Sequence, residues 1–220
     1  MLRRIREFSW LHLTTFFQLV FFGMQHTAGA ENLSSIHSGI EDMDNIELLI
    51  SQDEIKSKIT EFAQMLDTQY HNEELTIVMV MKGAICMTAD LIRALKTPCT
   101  IEYVKASSYG QRGEKRGELK IFGLQELDLS SKNVLLVDDI YDSGETVSQI
   151  VAKLKEKKPK SLKSAVLLAK NVARDVNYIP DYILFNIGNQ FVIGYGLDYK
   201  ELYRGLPGIY AFKKHSLTGL

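Results

Sequence analysis

A chain of 220 residues that is 45% hydrophobic and 24% charged has enough apolar material for one full core, and its composition is neither that of a disordered chain nor that of a fibre. A formal net charge of −1 supplies no overall basic field for nucleic acid and no acidic excess for a basic partner, so any ligand has to be sought in local groups of residues. The two cysteines, Cys86 and Cys99, lack zinc-type spacing, which argues against a metal knuckle or disulfide scaffold and fits a reducing, cytoplasmic compartment.

The first 42 residues read differently from the rest. Arg3, Arg4 and Arg6 precede an apolar run over residues 8–24, and Ala28, Gly29 and Ala30 resemble a small-residue cleavage site. Thr14, Thr15 and Gln18 interrupt the run, so no membrane span is expected. Two readings stay open for residues 1–42: a targeting segment, or an extension upstream of a functional start near Met43. The fold is expected as one domain over residues 43–220.

From Met43 onward, helical and strand patterns alternate, which predicts an α/β fold with a mostly parallel sheet. Ser51 and Glu54 have the spacing of a capping box, and Ile55, Ile59, Phe62, Ala63 and Leu66 follow at helical intervals. Residues 76–81 form a short β-branched and apolar run that Lys82 and Gly83 end, before a second helical pattern over 85–95. A strand is expected at 100–104. The stretch 105–120, punctuated by Gly110, Gly113 and Gly117, reads as a mobile loop.

Residues 134–137 are continuously apolar and lead into Asp138 and Asp139, after which Val147, Ile150, Val151 and Leu154 resume helical spacing. Further strands are expected at 165–169, 182–187 and 191–194. Lys153, Lys155, Lys157, Lys158, Lys160 and Lys163 sit at a helix end, where a solvated face that suits the helix dipole is the plainer reading and an RNA-binding patch the alternative.

The chemistry concentrates in residues 133–146, NVLLVDDIYDSGET. A buried strand delivers Asp138 and Asp139 to its carboxyl end, where open α/β sheets place their ligands. Asp142, Ser143, Gly144, Glu145 and Thr146 then combine a glycine, two hydroxyls and the unpaired N–H groups of a helix start, which is a phosphate cradle without the Walker spacing. Phosphate beside two carboxylates makes sense if the carboxylates serve ribose hydroxyls and hydrated magnesium, that is, a phosphorylated sugar plus a metal. The alternative is a polar turn whose aspartates cap the helix.

This segment resembles the signature of the phosphoribosyltransferase family, a hydrophobic strand, two acidic residues, two further residues and a D-[ST]-G-x-T loop. Other segments in the same order make the resemblance closest to the hypoxanthine-guanine phosphoribosyltransferases, over nearly all of 43–213. The resemblance implies the type I phosphoribosyltransferase fold, a mostly parallel twisted sheet flanked by helices with a small hood subdomain. It implies transfer of the 5-phosphoribosyl group from phosphoribosyl pyrophosphate to hypoxanthine or guanine, with Mg2+ as cofactor and a homodimer or homotetramer as the assembly. Nucleic acid and membrane are not expected as partners.

Residue roles follow from the same resemblance. Asp138 and Asp139 would hold the ribose hydroxyls, directly or through magnesium water; Asp142, Ser143, Gly144, Glu145 and Thr146 would wrap the 5-phosphate, and Asp142 would be the general base facing purine N7. Lys82 and Gly83 resemble the pyrophosphate loop, with an unusual peptide expected between them. Ser108 and Tyr109 resemble the closing lid. Lys170 is similar to the lysine that donates to purine O6. Phe191 would stack on the base, Val192 would offer it backbone groups, Asp198 would reach a second magnesium, and Arg204 would clamp pyrophosphate. Two rivals are a phosphoribosyl-pyrophosphate-sensing regulator that binds nucleic acid, and a signalling receiver with a phospho-accepting aspartate. A receiver has no use for the D-[ST]-G-x-T loop, and a regulator has none for the base-binding elements.

Overall fold

The computed structural model describes residues 45–108, 119–174 and 176–213. The expectations for residues 1–42 and for Tyr109 lie outside the described residues.

The chain opens with strand β1 (Ile46–Ile50) and helix α1 (Gln52–Gln69). The capping box forms as expected: the Glu54 amide donates to Ser51 Oγ at 3.3 Å, and the Ser51 amide donates to Glu54 Oε2 at 2.8 Å. Ile55, Ile59, Phe62, Ala63 and Leu66 form the buried stripe of α1. Burying each large member of such a stripe contributes about 1.5–3 kcal/mol.

Strand β2 (Leu75–Met81), helix α2 (Ile85–Ala94) and strand β3 (Cys99–Ser108) make the first crossover unit, and β5 (Asn133–Tyr141), helix α3 (Glu145–Glu156) and β6 (Ser161–Lys170) make the second. With β4 (Leu119–Phe122) and β7 (Tyr182–Ile187) they build a six-stranded sheet in the order β4-β3-β2-β5-β6-β7. Every pairing in it is parallel except β3 with β4, an antiparallel hairpin whose last registered pair is Ser108 with Leu119.

Alternation along the strands sorts the core into two faces. On β5, Leu135 and Val137 join the cluster that includes the buried residues of α1 and α2. Val134 and Leu136 join the one that includes Val147, Ile150, Val151 and Leu154 of α3. A strand covered on both sides has no polar face to show, which is why 134–137 is uniformly apolar in sequence.

Strands β8 (Val192–Ile193) and β9 (Ile209–Phe212) pair antiparallel, and with β1 they form a second, three-stranded sheet in the order β1-β9-β8. Three strands escaped the sequence patterns: β1, β4 and β9 are each five residues or fewer, too short for a period to declare itself.

Candidate active site

Strand β5 ends in the carboxylate pair. Asp138 is buried, and its Oδ1 accepts the Asp139 amide at 2.9 Å; Asp139 Oδ1 accepts the Ile140 amide at 2.8 Å. Burial first, and then the charge and side chain of Asp139, push the Asp138 carboxyl well above the usual carboxylate range. Burial also raises Asp139, against the lowering contributions of its hydrogen bonds and of Arg204. Two adjacent carboxyls out of water invite a cation or a set of hydroxyl donors.

The turn after β5 reaches α3 through Gly144, whose φ of 81° is left-handed and which offers no side-chain cap. The cap residue itself gives the first turn of α3 no side-chain acceptor, and the positive end of the helix dipole faces the turn. A Cβ on Gly144 would fall 2.5 Å from Val176 Cγ2 and 2.8 Å from the Tyr141 ring, so glycine is required by space as well as by φ. Glu145 Oε1 accepts from Gln149 Nε2 at 3.1 Å, a contact made along α3. Ser143 Oγ accepts the Glu145 amide at 3.5 Å, and Thr146 follows Glu145 in the first turn of α3.

Asp142 and Lys170 meet. Lys170 Nζ lies 3.0 Å from Asp142 Oδ2, with the lysine mostly buried and the carboxylate more open. The two residues come from the ends of the neighbouring parallel strands β5 and β6, which sets the distance between them.

The turn after β2 lies against the same carboxylates. A Cβ on Gly83 would overlap the Asp139 carboxylate, and a Cβ on Gly196 (φ 102°) would overlap the Gly83 carbonyl. Gly83 is thus the layer between Asp139 and the 194–204 loop, and no side chain fits there. The unusual peptide expected between Lys82 and Gly83 is found one bond earlier: the cis peptide joins Met81 to Lys82.

The 194–204 loop brings the second set of charges. Arg204 Nη1 donates to the Gly196 carbonyl at 2.7 Å, and its Nη2 lies 2.7 Å from Asp198 Oδ1 and 3.2 Å from Glu201 Oε2. The same Glu201 oxygen accepts from Lys82 Nζ at 2.8 Å, so Lys82 and Arg204 share one carboxylate. Those two side chains pull the Glu201 carboxyl below its ordinary range. Tyr195, with φ of 48°, anchors the loop to α2 through its hydroxyl, which donates to Asp90 Oδ2 at 2.7 Å.

Phe191 is half exposed and stands with Tyr199 and Phe212, the ring centroids 5.8 Å and 6.2 Å away. Val192 is buried and pairs with Ala211, on a strand that is the edge of its sheet. Among the described residues no strand pairs with the second edge of β8. Ser108 is the last residue of β3.

No cluster of three or more His, Cys, Asp or Glu side chains suited to a metal occurs among the described residues, and Asp198 is not gathered with Asp138 and Asp139 into such a cluster. Its Oδ2 accepts the Glu201 amide at 2.8 Å and its Oδ1 faces Arg204. Asp138 and Asp139 remain a two-carboxylate, all-oxygen set, and magnesium is commonly held by one or two carboxylates together with water and substrate phosphates. The donor chemistry fits that ion.

Four contributors were missed in the sequence: Tyr141, Arg174, Tyr195 and Glu201. Arg174 bonds residues 32 and 33 positions away, and Tyr195 one that is 105 away. No local period or motif encodes such contacts.

Residues 51–200 match the family profile described as a phosphoribosyl transferase domain. A hypoxanthine-guanine phosphoribosyltransferase of Aquifex aeolicus is 39% identical over 75% of this chain and 93% of its own length. The bifunctional protein TilS/HprT of Listeria monocytogenes is 37% identical over 84% of this chain, which spans only 28% of that longer relative. Among solved structures, a hypoxanthine-guanine phosphoribosyltransferase of Bacillus anthracis matches with a TM-score of 0.69 at 36% identity, covering 76% of this chain and 99% of its own.

Proposed function

Since the chain belongs to the phosphoribosyl transferase family, we propose that it is a purine-salvage enzyme that transfers the 5-phosphoribosyl group of phosphoribosyl pyrophosphate to hypoxanthine or guanine. The products are IMP or GMP, and pyrophosphate. The observation that carries this reading is the Asp142–Lys170 pair at 3.0 Å, an acceptor and a donor spaced to take two atoms on one side of a 6-oxopurine.

In the reaction the bond from ribose C1 to pyrophosphate breaks and the bond from C1 to purine N9 forms. Asp142 accepts the proton that leaves N7, which requires a carboxylate within hydrogen-bond reach of that edge. Lys170 donates to O6 and so disfavours an amino group in that position. The α3 amino terminus with Ser143, Gly144, Glu145 and Thr146 holds the 5-phosphate, while Lys82, the Gly83 backbone and Arg204 hold pyrophosphate. Phe191 stacks on the base, the backbone at Val192 meets its edge, and Ser108 and Tyr109 belong to the segment that closes over the centre. Asp138 and Asp139 would hold the ribose hydroxyls and Mg2+, with Asp198 for a second ion; bound magnesium would supply charge neutralisation for the leaving pyrophosphate. The rate then comes from placement and fixed charge.

A cytoplasmic location belongs to the same proposal; among the described residues no helix is long and apolar enough to cross a membrane. A homodimer or homotetramer is supported by Ile101 and Tyr103 on β3 and Phe122 on β4, three exposed hydrophobic residues that share one sheet face.

The test offers purified protein magnesium, phosphoribosyl pyrophosphate and, separately, hypoxanthine, guanine, xanthine and adenine. Nucleotide from hypoxanthine or guanine and none from adenine is expected. Failure with every base, with phosphoribosyl pyrophosphate still bound, would overturn the enzymatic reading.

A further inference from the structure

Arg174 has no part in the roles above, yet three of its contacts converge on them. Its Nε donates to the Asp142 carbonyl at 2.7 Å, and its Nη2 donates to the Tyr141 carbonyl at 3.2 Å and to the Lys170 carbonyl. The guanidinium lies over the Tyr141 ring, 4.3 Å from its centroid. The β5–β6 register ends at Tyr141 with Ala169, so Asp142 and Lys170 lie one residue past the ladder. The Asp142 carbonyl, past the last registered pair, takes its donor from Arg174, and the Lys170 carbonyl is shared between Arg174 and the Val172 amide at 3.1 Å. A planar cation with a fork of five N–H groups can serve several carbonyls at once, and a lysine ammonium cannot copy that geometry.

The surrounding chain reinforces the position. Strands β6 and β7 are parallel neighbours joined by residues 171–181, in which no helix occurs among the described residues. That connection supplies Arg174, the Val176 methyl that closes on Gly144, and the Tyr178 carbonyl that accepts from the Tyr141 hydroxyl. The Tyr141 ring is held on one face by the guanidinium and at its tip by Tyr178.

We propose that Arg174 is a positioning residue for phosphoribosyl transfer: it fixes the Asp142 and Lys170 backbones relative to each other, and so sets the separation of the two groups that grip the purine. The proposal rests on the phosphoribosyl-transfer reading given above. Arg174 touches no reacting atom in this scheme. Its three acceptors are the carbonyls of Tyr141, Asp142 and Lys170 and none belongs to α3, so its loss is expected to act more on the purine side than on the phosphoribosyl pyrophosphate side.

The experiment compares the full-length parent with Arg174→Lys and Arg174→Ala. It measures thermal unfolding, the dissociation constant for phosphoribosyl pyrophosphate with magnesium by calorimetry, and kcat and KM for hypoxanthine. Arg174→Lys is expected to lose about tenfold to a hundredfold in kcat/KM for hypoxanthine, the scale of a small misplacement of catalytic groups, with the phosphoribosyl pyrophosphate constant within about twofold of the parent. Added guanidinium ion at millimolar concentration is expected to restore part of the turnover of Arg174→Ala. Should the alanine variant not fold, Arg174→Lys decides alone. Hypoxanthine kinetics within about twofold of the parent, or a parallel loss of affinity for both substrates, overturns the positioning role. A parent that binds phosphoribosyl pyrophosphate and transfers it to no base overturns the transfer reading itself, and the proposal with it.

Discussion

One oxygen of Glu201 lies 2.8 Å from Lys82 Nζ and 3.2 Å from Arg204 Nη2, so in the free protein a carboxylate sits between the two cations proposed to hold pyrophosphate. A phosphate oxygen entering there has to displace it. Because the ion pair is solvent-exposed, the competition is weak. Glu201→Gln keeps the shape and removes the charge, and is expected to tighten pyrophosphate binding on the order of two- to fivefold, read by calorimetry with pyrophosphate and magnesium. Unchanged or weaker binding would mean that Glu201 holds Lys82 and Arg204 in place for the anion instead of competing with it. The sequence displays part of this chemistry and hides the rest for one reason. Asp138, Asp139 and the 142–146 loop are contiguous, because a strand end and a helix start can be written side by side in a chain. Lys82 and Glu201 are 119 residues apart, and only the folded sheet brings them together.

Among the elements, α1 was legible because its cap and its apolar stripe are both local patterns. Its last turn carries a long-range duty that no pattern reports. Asp67 reaches the turn between α2 and β3, where its Oδ1 accepts the Lys96 amide at 3.0 Å, the Thr97 amide at 2.8 Å and the Thr97 hydroxyl at 2.8 Å. Burial pushes the Asp67 carboxyl up, but the hydrogen bonds from Thr97 and Lys96 and the Lys96 charge outweigh it and hold the carboxyl below its ordinary value. A depressed folded-state pKa adds stability at pH values above the unfolded-state pKa, and that stability drains as pH falls through the folded-state value. Asp67→Asn is therefore expected to cost about 1 kcal/mol at neutral pH, measured by urea unfolding, with the gap to the parent closing in acid. A gap that persists at low pH would assign the cost to packing instead of charge.

At the scale of the molecule, the alternation of helix and strand patterns disclosed the five parallel strands of the main sheet but not β4, since its two strand–helix–strand units are complete local patterns. The three-stranded sheet was not disclosed, because it joins strands from opposite ends of the described chain: β1 begins at Ile46 and β9 ends at Phe212. Both lie outside the 51–200 range of the family match. β1 nonetheless matters to the core. Ile50 is buried in the same cluster as Ile209 and Val192, and its carbonyl packs so closely on Gly208 that a Cβ there would fall 2.6 Å from it. We propose that residues 1–42 are dispensable to the fold, and a pair of truncations separates that proposal from the requirement for β1. A chain starting at Met43 is expected to keep the unfolding temperature and the kinetic constants of the full chain. One starting at Ser51 loses the burial of Ile50 and leaves β9 with an unpaired edge, at a cost of at least about 2 kcal/mol, and it disturbs the neighbouring β8 on which Val192 is carried. Thermal unfolding and hypoxanthine kinetics on both chains decide it: a Met43 chain that melts early assigns residues 1–42 a structural part, and a Ser51 chain as stable as the parent removes β1 from the core.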